Sequence, residues 1–312
     1  MNELGAQGKP FVFIIDFAFE KPLVFDFDDT TNLLWKTLVS ANCEYEEIQK
    51  KQVEWNISPV EYAKYRRAFE LVQHHIHCGD TYLLNLTMPT QVETNLTPEE
   101  IFYLSKAPYK IWLKDQFVCF SPEIFVKITA GMISSFPMKG TIDANRENAR
   151  EHLLNDEKEI AEHHTIVDLI RNDLSLVASE VNVEKFMYID RISTNRGDLL
   201  QMSSQISGRL PENYEQSLGT IISKLLPAGS ICGAPKRKTL EIIRKAENYE
   251  RGYYTGIFGV FDGKNLDSCV LIRYLEQDGE QLTFKSGGGI TFLSNCQTEY
   301  NELIQKVYVP IS

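Results

Sequence analysis

Two acidic pairs with one spacing are the first residues in this chain that could do chemistry together. Glu159 and Glu162, and again Glu299 and Glu302, stand three apart in stretches patterned as helices, so each pair shares a helical face. Exposed like charges at this spacing cost roughly a few tenths of a kcal/mol. In a cleft they repel strongly unless a cation lies between them, and oxygen-only donors suit Mg²⁺, which keeps waters and bridges to substrate oxygens. Solvated helix faces and a cation site both fit the pairs taken alone. Lys306 follows Glu302 by four residues, the spacing of a helix ion pair or of an anion contact. Lys139 stands in FPMKGT between Pro137 and Gly140. A surface lysine is the default there, but an amine in a desolvated pocket becomes a nucleophile once its pKa is depressed. The run Gly287-Gly288-Gly289 is either a flexible turn or a set of backbone N–H groups able to cradle a carboxylate. It lacks the βαβ setting of a dinucleotide fingerprint. His74, His75, His77 and Cys78 cannot all converge from one helix and read as a partly packed helix end. No G-x-S-x-G elbow occurs, which disfavours a serine hydrolase.

The elements that must position these groups mix strand hairpins with helices. Residues 11–27 read as two strands, 109–135 as short strands with Asp115 and Gly131 in the turns, and 182–190 and 199–206 as two more. A helix is predicted from Ser58-Pro59 to His77, with Ser58 as cap and Gly79 as stop. A second spans Asp156 to Ala178, its buried stripe being Ile160, Val167, Ile170, Leu174 and Val177. Helices follow near 213–226, 235–247 and 297–307. Between them, 256–290 reads as a meander turning at Asp262-Gly263 and Asp278-Gly279. Hairpins without strict β-α-β alternation indicate an α+β fold with mainly antiparallel sheets.

Composition bounds the function. The 312 residues carry 43 acidic against 32 basic side chains, net −11, which argues against a chain built to grip nucleic acid or anionic lipid. A small anionic substrate is still compatible, because a basic pocket can lie in an acidic surface. No apolar run reaches the ~18–20 residues of a membrane-spanning helix. The 6 cysteines are scattered without a C-x-x-C pair, as suits reduced thiols in the cytoplasm. No repeat or linker divides the chain, so 1–312 is read as one unit.

The order of the motifs is more specific than any one of them. CGDTYLLNLT (78–87), SPE (121–123), PMKGT (137–141), KEIAEHHTIVDLIRNDL (158–174), PAGSICGAPK (227–236), RGYYTG (251–256) and SGGGITFLSNCQTEYNELIQK (286–306) follow one another as in the chorismate-utilising enzymes, which the chain resembles over roughly 58–307. That family includes anthranilate, aminodeoxychorismate, isochorismate and salicylate synthases. The resemblance implies two packed, largely antiparallel sheets with flanking helices. It also implies Mg²⁺ held by Glu162 and Glu302, with Glu159 and Glu299 beside them. Tyr254, Arg273, Lys306, Thr141, Ser230 and the glycines 287–289 would bind substrate. A metal, a guanidinium and a nest of amides are the expected complement of the chorismate dianion.

Within the family, isochorismate and salicylate synthases carry a water-activating lysine where this chain has Leu83. Aminodeoxychorismate synthases carry lysine in the P-x-x-G-T motif, the place of Lys139. The resemblance is therefore to aminodeoxychorismate synthase component I. It implies attack on the ring by Lys139, with Glu123 as general acid and ammonia delivered by a separate glutamine amidotransferase subunit, on the route to para-aminobenzoate and folate. Anthranilate synthesis, or a chorismate-binding subunit of weak activity, are the alternatives. Gln201 replaces a histidine common in the family, and Leu83 replaces the glutamine usual in amino-transferring members. The portion before Ser58 is short, so a tryptophan-binding lobe and feedback by tryptophan are not expected.

Overall fold

The strands Phe11–Ile15 and Phe117–Ser121 are buried residue after residue, and alternation explains why. Phe11, Phe13 and Ile15 enter one apolar cluster while Val12 and Ile14 enter a second. Phe117 and Cys119 join that second cluster, and Val118 and Phe120 enter a third. Successive side chains point to opposite faces, so a strand covered on both sides must be apolar throughout. The second cluster thus lies between two stacked sheets, and the other two lie on their outer faces.

The structure is a computed structural model that describes residues 1–29, 31–44, 52–194 and 197–311. Among the described residues one sheet has nine strands. Their spatial order is Met138–Asp143, Gly197–Arg209, Met132–Ser135, Ile124–Thr129, Leu266–Val270, Ile257–Phe261, Phe11–Ile15 and Leu23–Asp26, with Ser179–Thr194 also paired to Gly197–Arg209. The other has eight, ordered Gly233–Ala234, Leu83–Thr94, Gln281–Ile290, Tyr274–Asp278, Phe117–Ser121, Tyr109–Leu113 and Leu33–Lys36, with Trp55–Ser58 paired to Leu83–Thr94. Their pairings are antiparallel. The α+β expectation and its two packed sheets are therefore what the chain adopts.

Helices cover the outer faces. Tyr62–His77 and Lys236–Glu247 pack on Leu83–Thr94 of the eight-stranded sheet, and Glu157–Ser175 packs on Gly197–Arg209 of the nine-stranded one, so that Tyr65, Phe69, Ile170 and Ile243 join Phe11 and Phe13 in the first cluster. Pro98–Leu104 packs Ile101 and Phe102 over the other sheet, and a reciprocal bond pair between Thr97 and Glu100 caps its start. Each such aromatic or aliphatic side chain contributes about 1.5–3 kcal/mol on full burial. No helix among the described residues is long and apolar enough to cross a membrane.

Three expectations need correction. Ser58 does not cap a helix. It ends the strand Trp55–Ser58, which pairs with the edge of Leu83–Thr94, and the helix starts after Glu61. In the helix Glu157–Ser175, the buried face carries Glu162, His163 and Ile166 as well as Val167, Ile170 and Leu174, whereas Ile160 is half-buried and Val177 lies beyond the end. Finally, the predicted meander is two hairpins in two sheets. Ile257–Phe261 and Leu266–Val270 pair in the first sheet, and Tyr274–Asp278 and Gln281–Ile290 pair in the second.

The chain changes sheet at 271–273, and it does so again between Phe117–Ser121 and Ile124–Thr129, at Pro122 and Glu123. These crossings lie side by side. The Val270 N–H donates to the Glu123 carbonyl and the Phe120 N–H to the Arg273 carbonyl, both at 3.1 Å. Arg273 makes its turn at φ 55°, the left-handed region that non-glycine residues seldom occupy.

Candidate active site

A cavity of about 510 Å³ opens where the sheets cross over. Its wall includes Lys139, Glu123, Glu159, Glu162, Glu299, Glu302, Tyr254, Arg273, Gly287, Gly288, Gly289, Lys306, Thr141 and Ser230. Every site residue expected from the sequence therefore faces one space, although the residues are spread along the chain from Glu123 to Lys306.

Two helices supply the acids. Glu159 and Glu162 leave the first turns of Glu157–Ser175, and Ile166, one turn on, lines the same wall. Glu299 and Glu302 leave Cys296–Gln305, whose start is fixed by Asn295 accepting the N–H groups of Gln297 and Thr298 at 3.0 and 3.1 Å. Glu162 and Glu299 are buried. The donors are all carboxylate oxygens, which in kind fit a hard cation such as Mg²⁺. Among the described residues no three of His, Cys, Asp or Glu stand close enough to enclose an ion. A cation here would need water or substrate oxygens to complete its shell, as Mg²⁺ ordinarily does.

Lys139 reaches the cavity from a bulge. The strand Met138–Asp143 shifts register between Lys139 and Thr141, and Gly140 takes up the shift at φ 65°. A methyl on Gly140 would stand 2.7 Å from Leu153 Cδ1 and 3.2 Å from Glu159 Oε2, so glycine is required for space as well. Lys139 Nζ donates to Glu162 Oε2 at 3.0 Å. The sequence called for a depressed pKa at this amine. Burial does push it down, but Glu162, Glu159 and Glu123 outweigh burial and the net direction is up. In this structure Lys139 is an ammonium paired with Glu162.

Glu123 sits at the sheet crossing and accepts a bond from Ser230 Oγ at 2.5 Å. Burial pushes its carboxyl pKa up, against the opposing Ser230 bond and the nearby Lys139 and Arg273. A carboxyl shifted in this direction keeps its proton to higher pH than an exposed one, which suits a group that gives a proton to a leaving group. Ser230 thus supports the acid besides lining the wall.

The glycine run is a strand, not a flexible turn. Gly287, Gly288 and Gly289 pair with Thr87, Leu86 and Asn85, while the neighbour on the other edge ends its pairing at Lys285. Lys306 Nζ donates to the Gly287 carbonyl at 2.8 Å on that open edge. Residues two apart share an edge, so the N–H groups of Gly287 and Gly289 lie on it too. Lys306 also pairs with Glu302 at 2.7 Å, and burial lowers its pKa against that pairing. Tyr254 is buried, Arg273 half-buried beneath the Tyr308 ring at 5.7 Å, and Thr141 sits exposed at the rim.

Sequence reasoning did not select Asn85, Met138, Ile166, Lys285 and Gln305, which also line the cavity. Asn85 could have been found, being two residues past Leu83 on the same strand face; Lys285 precedes the glycine run, but nothing in its type foretold burial. Gln201 lines the cavity, and Leu83 Cδ1 would stand 3.2 Å from a methyl on Gly289, as would Lys139 Nζ. The histidines of 74–77 stay apart from this site: His75 pairs with Asp80 at 2.6 Å, and His77 bonds the Gln73 carbonyl. Cys232 is buried, its thiol pushed up to about 11 by burial, and packs in the core.

The chorismate binding enzyme family matches residues 25–312, so it takes in the strand Leu33–Lys36 before Ser58 as well as the motifs. An uncharacterized PabA-like protein of Haemophilus influenzae is 51% identical over 314 residues, covering 99% of this chain and 95% of its own. Aminodeoxychorismate synthase component 1 of Bacillus subtilis is 31% identical across 78% of this chain and 54% of its own. Anthranilate synthase component 1 of Acetivibrio thermocellus is 32% identical across 87% and 56%. The chain spans about half the length of these two synthases. The crystal structure of anthranilate synthase component I from Streptococcus pneumoniae superposes with a TM-score of 0.70 at 26% identity, over 81% of this chain and 58% of that one.

Proposed function

The chain belongs to the chorismate binding enzyme family, and from that premise we propose that it converts chorismate and ammonia to 4-amino-4-deoxychorismate, the precursor of para-aminobenzoate. The observation that carries this reading is the Lys139 amine on the cavity wall, with Glu123 and the glycine edge facing the same space. A pocket made only for binding has no use for a half-buried amine facing the same space as a carboxyl whose pKa burial raises.

The ring carboxylate would lie against the Gly287 and Gly289 N–H groups, and the enolpyruvyl carboxylate against Arg273 and Tyr254. Lys139, neutral when it attacks, forms a bond to ring C2 as the C4–O bond breaks. Glu123 gives its proton to the departing hydroxyl, which leaves as water. Ammonia then bonds to C4, the C2–N bond breaks to release Lys139, and the Glu123 carboxylate takes one proton from the new ammonium. The sum is chorismate plus ammonia giving aminodeoxychorismate plus water.

Lys139 must first be freed from its ion pair with Glu162. Within the cavity five carboxyls (Glu123, Glu159, Glu162, Glu299, Glu302) face four cations (Lys139, Arg273, Lys285, Lys306) paired or placed among them. A dianion entering that balance calls for added positive charge. Glu162 and Glu302, supported by Glu159 and Glu299, would hold Mg²⁺, which when bound supplies that charge to a substrate carboxylate. Ammonia would come from a separate glutamine amidotransferase.

A second reading, direct formation of anthranilate, is favoured by the 32% identity to an anthranilate synthase, no lower than the aminodeoxychorismate synthase match. One experiment separates them. The protein is incubated with chorismate, Mg²⁺ and ammonium at mildly alkaline pH, and products are analysed before and after adding aminodeoxychorismate lyase. Lyase-dependent 4-aminobenzoate is expected. Anthranilate without lyase supports the second reading, and unchanged chorismate refutes both. Lys139→Ala is expected to abolish product, and mass spectrometry of wild-type enzyme quenched in turnover to show a substrate adduct on Lys139. Full activity in Lys139→Ala would remove the amine from the mechanism.

A further inference from the structure

The strand Leu83–Thr94 has the glycine-bearing strand along one edge, but its other edge is only partly covered. Gly233–Ala234 pairs with Leu83 and Leu84, and Trp55–Ser58 pairs with 91–94. Between them, among the described residues, the backbone of Asn85 and Thr87 has no strand beside it. A buried ion pair fills that gap. Arg251 meets Glu247 through Nη2–Oε1 at 2.6 Å and Nε–Oε2 at 2.8 Å, and both side chains are 1% exposed. Nη2 also donates to the Asn85 carbonyl at 2.6 Å, while Glu247 Oε1 accepts the Thr87 N–H at 2.8 Å. One pair therefore presents a donor and an acceptor where a neighbouring strand would have presented an N–H and a carbonyl.

Its other bonds reach the remaining walls. Nη1 donates to the Ile231 carbonyl at 3.0 Å and to Thr255 Oγ1 at 3.2 Å, and the Arg251 carbonyl accepts from Lys285 Nζ at 3.0 Å. Asn85, Ile231 and Lys285 line the cavity, Thr255 adjoins Tyr254, and Ile231 adjoins the Ser230 that holds Glu123. Neither Arg251 nor Glu247 lines it. As a source of stability such a pair is a poor choice, because desolvation offsets its attraction and apolar replacements are often neutral or better.

We infer that Arg251 and Glu247 are positioning residues, a surrogate strand that fixes the Asn85–Thr87 backbone. Through the ladder pairs Asn85–Gly289 and Thr87–Gly287 they fix the glycine edge, in place with Tyr254 and Ser230. The inference uses the chorismate reading for one of its two readouts only. Arg251→Lys keeps the charge but loses the fork, and Glu247→Gln keeps the shape but weakens the acceptor. Lys110→Met is the control: it removes a buried cation that bonds the Phe102 and Ser105 carbonyls, away from the cavity.

The first readout is amide hydrogen exchange over 286–290, which needs no turnover. The second is KM for chorismate against kcat, well below each variant's melting temperature. Arg251→Lys is expected to speed exchange at 286–290 and raise KM by about tenfold or more each, Glu247→Gln to shift both in the same direction, and Lys110→Met to leave both within about twofold. An Arg251→Lys protein that melts lower yet keeps both within about twofold overturns the inference, as does a Lys110→Met protein that shifts both equally. If Arg251→Lys does not fold, Glu247→Gln decides by the same criteria. Wild-type enzyme that leaves chorismate untouched sinks the chorismate reading, while the exchange result still decides this one.

Discussion

Gly288→Ala tests whether a ligand lies against the glycine edge, and the structure sets its size. A methyl at Gly288 would stand 3.5 Å from Glu299 Oε2, 3.7 Å from Lys306 Nζ and 3.8 Å from Glu302 Oε1, distances at which nothing has to move. The backbone there is not left-handed, so alanine fits it, and a stiffer unfolded chain would add about 0.4–1 kcal/mol of stability. The added methyl instead occupies space a bound carboxylate would use. Overpacking by one such group costs about 1–3 kcal/mol, or roughly 5- to 150-fold in KM for chorismate. Gly287→Ala is the contrast: its methyl would meet the Leu86 carbonyl oxygen at 2.5 Å, and should lower stability by about 1–3 kcal/mol. The assays are a thermal melt and steady-state chorismate consumption. A Gly288→Ala enzyme that melts like wild type and keeps KM within about twofold would show that substrate does not lie there.

Other consequences follow from charge and packing. Because burial holds the Glu123 pKa above the usual carboxylate range, kcat/KM should fall as pH rises through that raised value, and Glu123→Gln should lose the alkaline limb together with most of the rate. The same shift gives stability that is full below about pH 4.3, the unfolded value, and is lost as pH rises through the folded one; a pH titration of the melting temperature in wild type and Glu123→Gln checks the sign. EDTA should abolish turnover and Mg²⁺ restore it, with Glu162→Gln and Glu302→Gln each raising the Mg²⁺ requirement by at least about tenfold, and turnover that survives exhaustive chelation would count against the metal. Phe258→Ala, between the sheets against Trp35, should cost about 3–5 kcal/mol in urea unfolding. A loss under about 1 kcal/mol would mean the sheets are not held by that cluster.

The site was largely legible because its residues carry chemistry in their type and spacing. An E-x-x-E pair on a helix projects to one side wherever the helix packs, so Glu159, Glu162, Glu299 and Glu302 could be grouped without coordinates. What linear order hid was the ion pair at Lys139, since the sign of its shift depends on three acids brought from distant segments. The meander was misread for a related reason: period-two alternation marks strands and turns, but not the sheet each hairpin joins. Ser58 carried a capping side chain, yet the open edge of Leu83–Thr94 offered its segment ladder bonds, and the strand prevailed. Arg251 and Glu247 were not singled out, because nothing local announces a missing strand elsewhere.

The adjacent sheet crossings have a consequence for how this scaffold diversifies. Two residues separate Ser121 from Ile124, and three separate Val270 from Tyr274. Inserting a single residue in either link would invert the inside-outside sense of the next strand, exposing one apolar set and burying a polar one. Spacer length at these links is therefore frozen by folding. New chemistry can enter there by exchanging side chains such as Glu123 or Arg273, whereas growth in length is confined to the hairpin tips at Asp115 and Gly279, at the far ends of the strands.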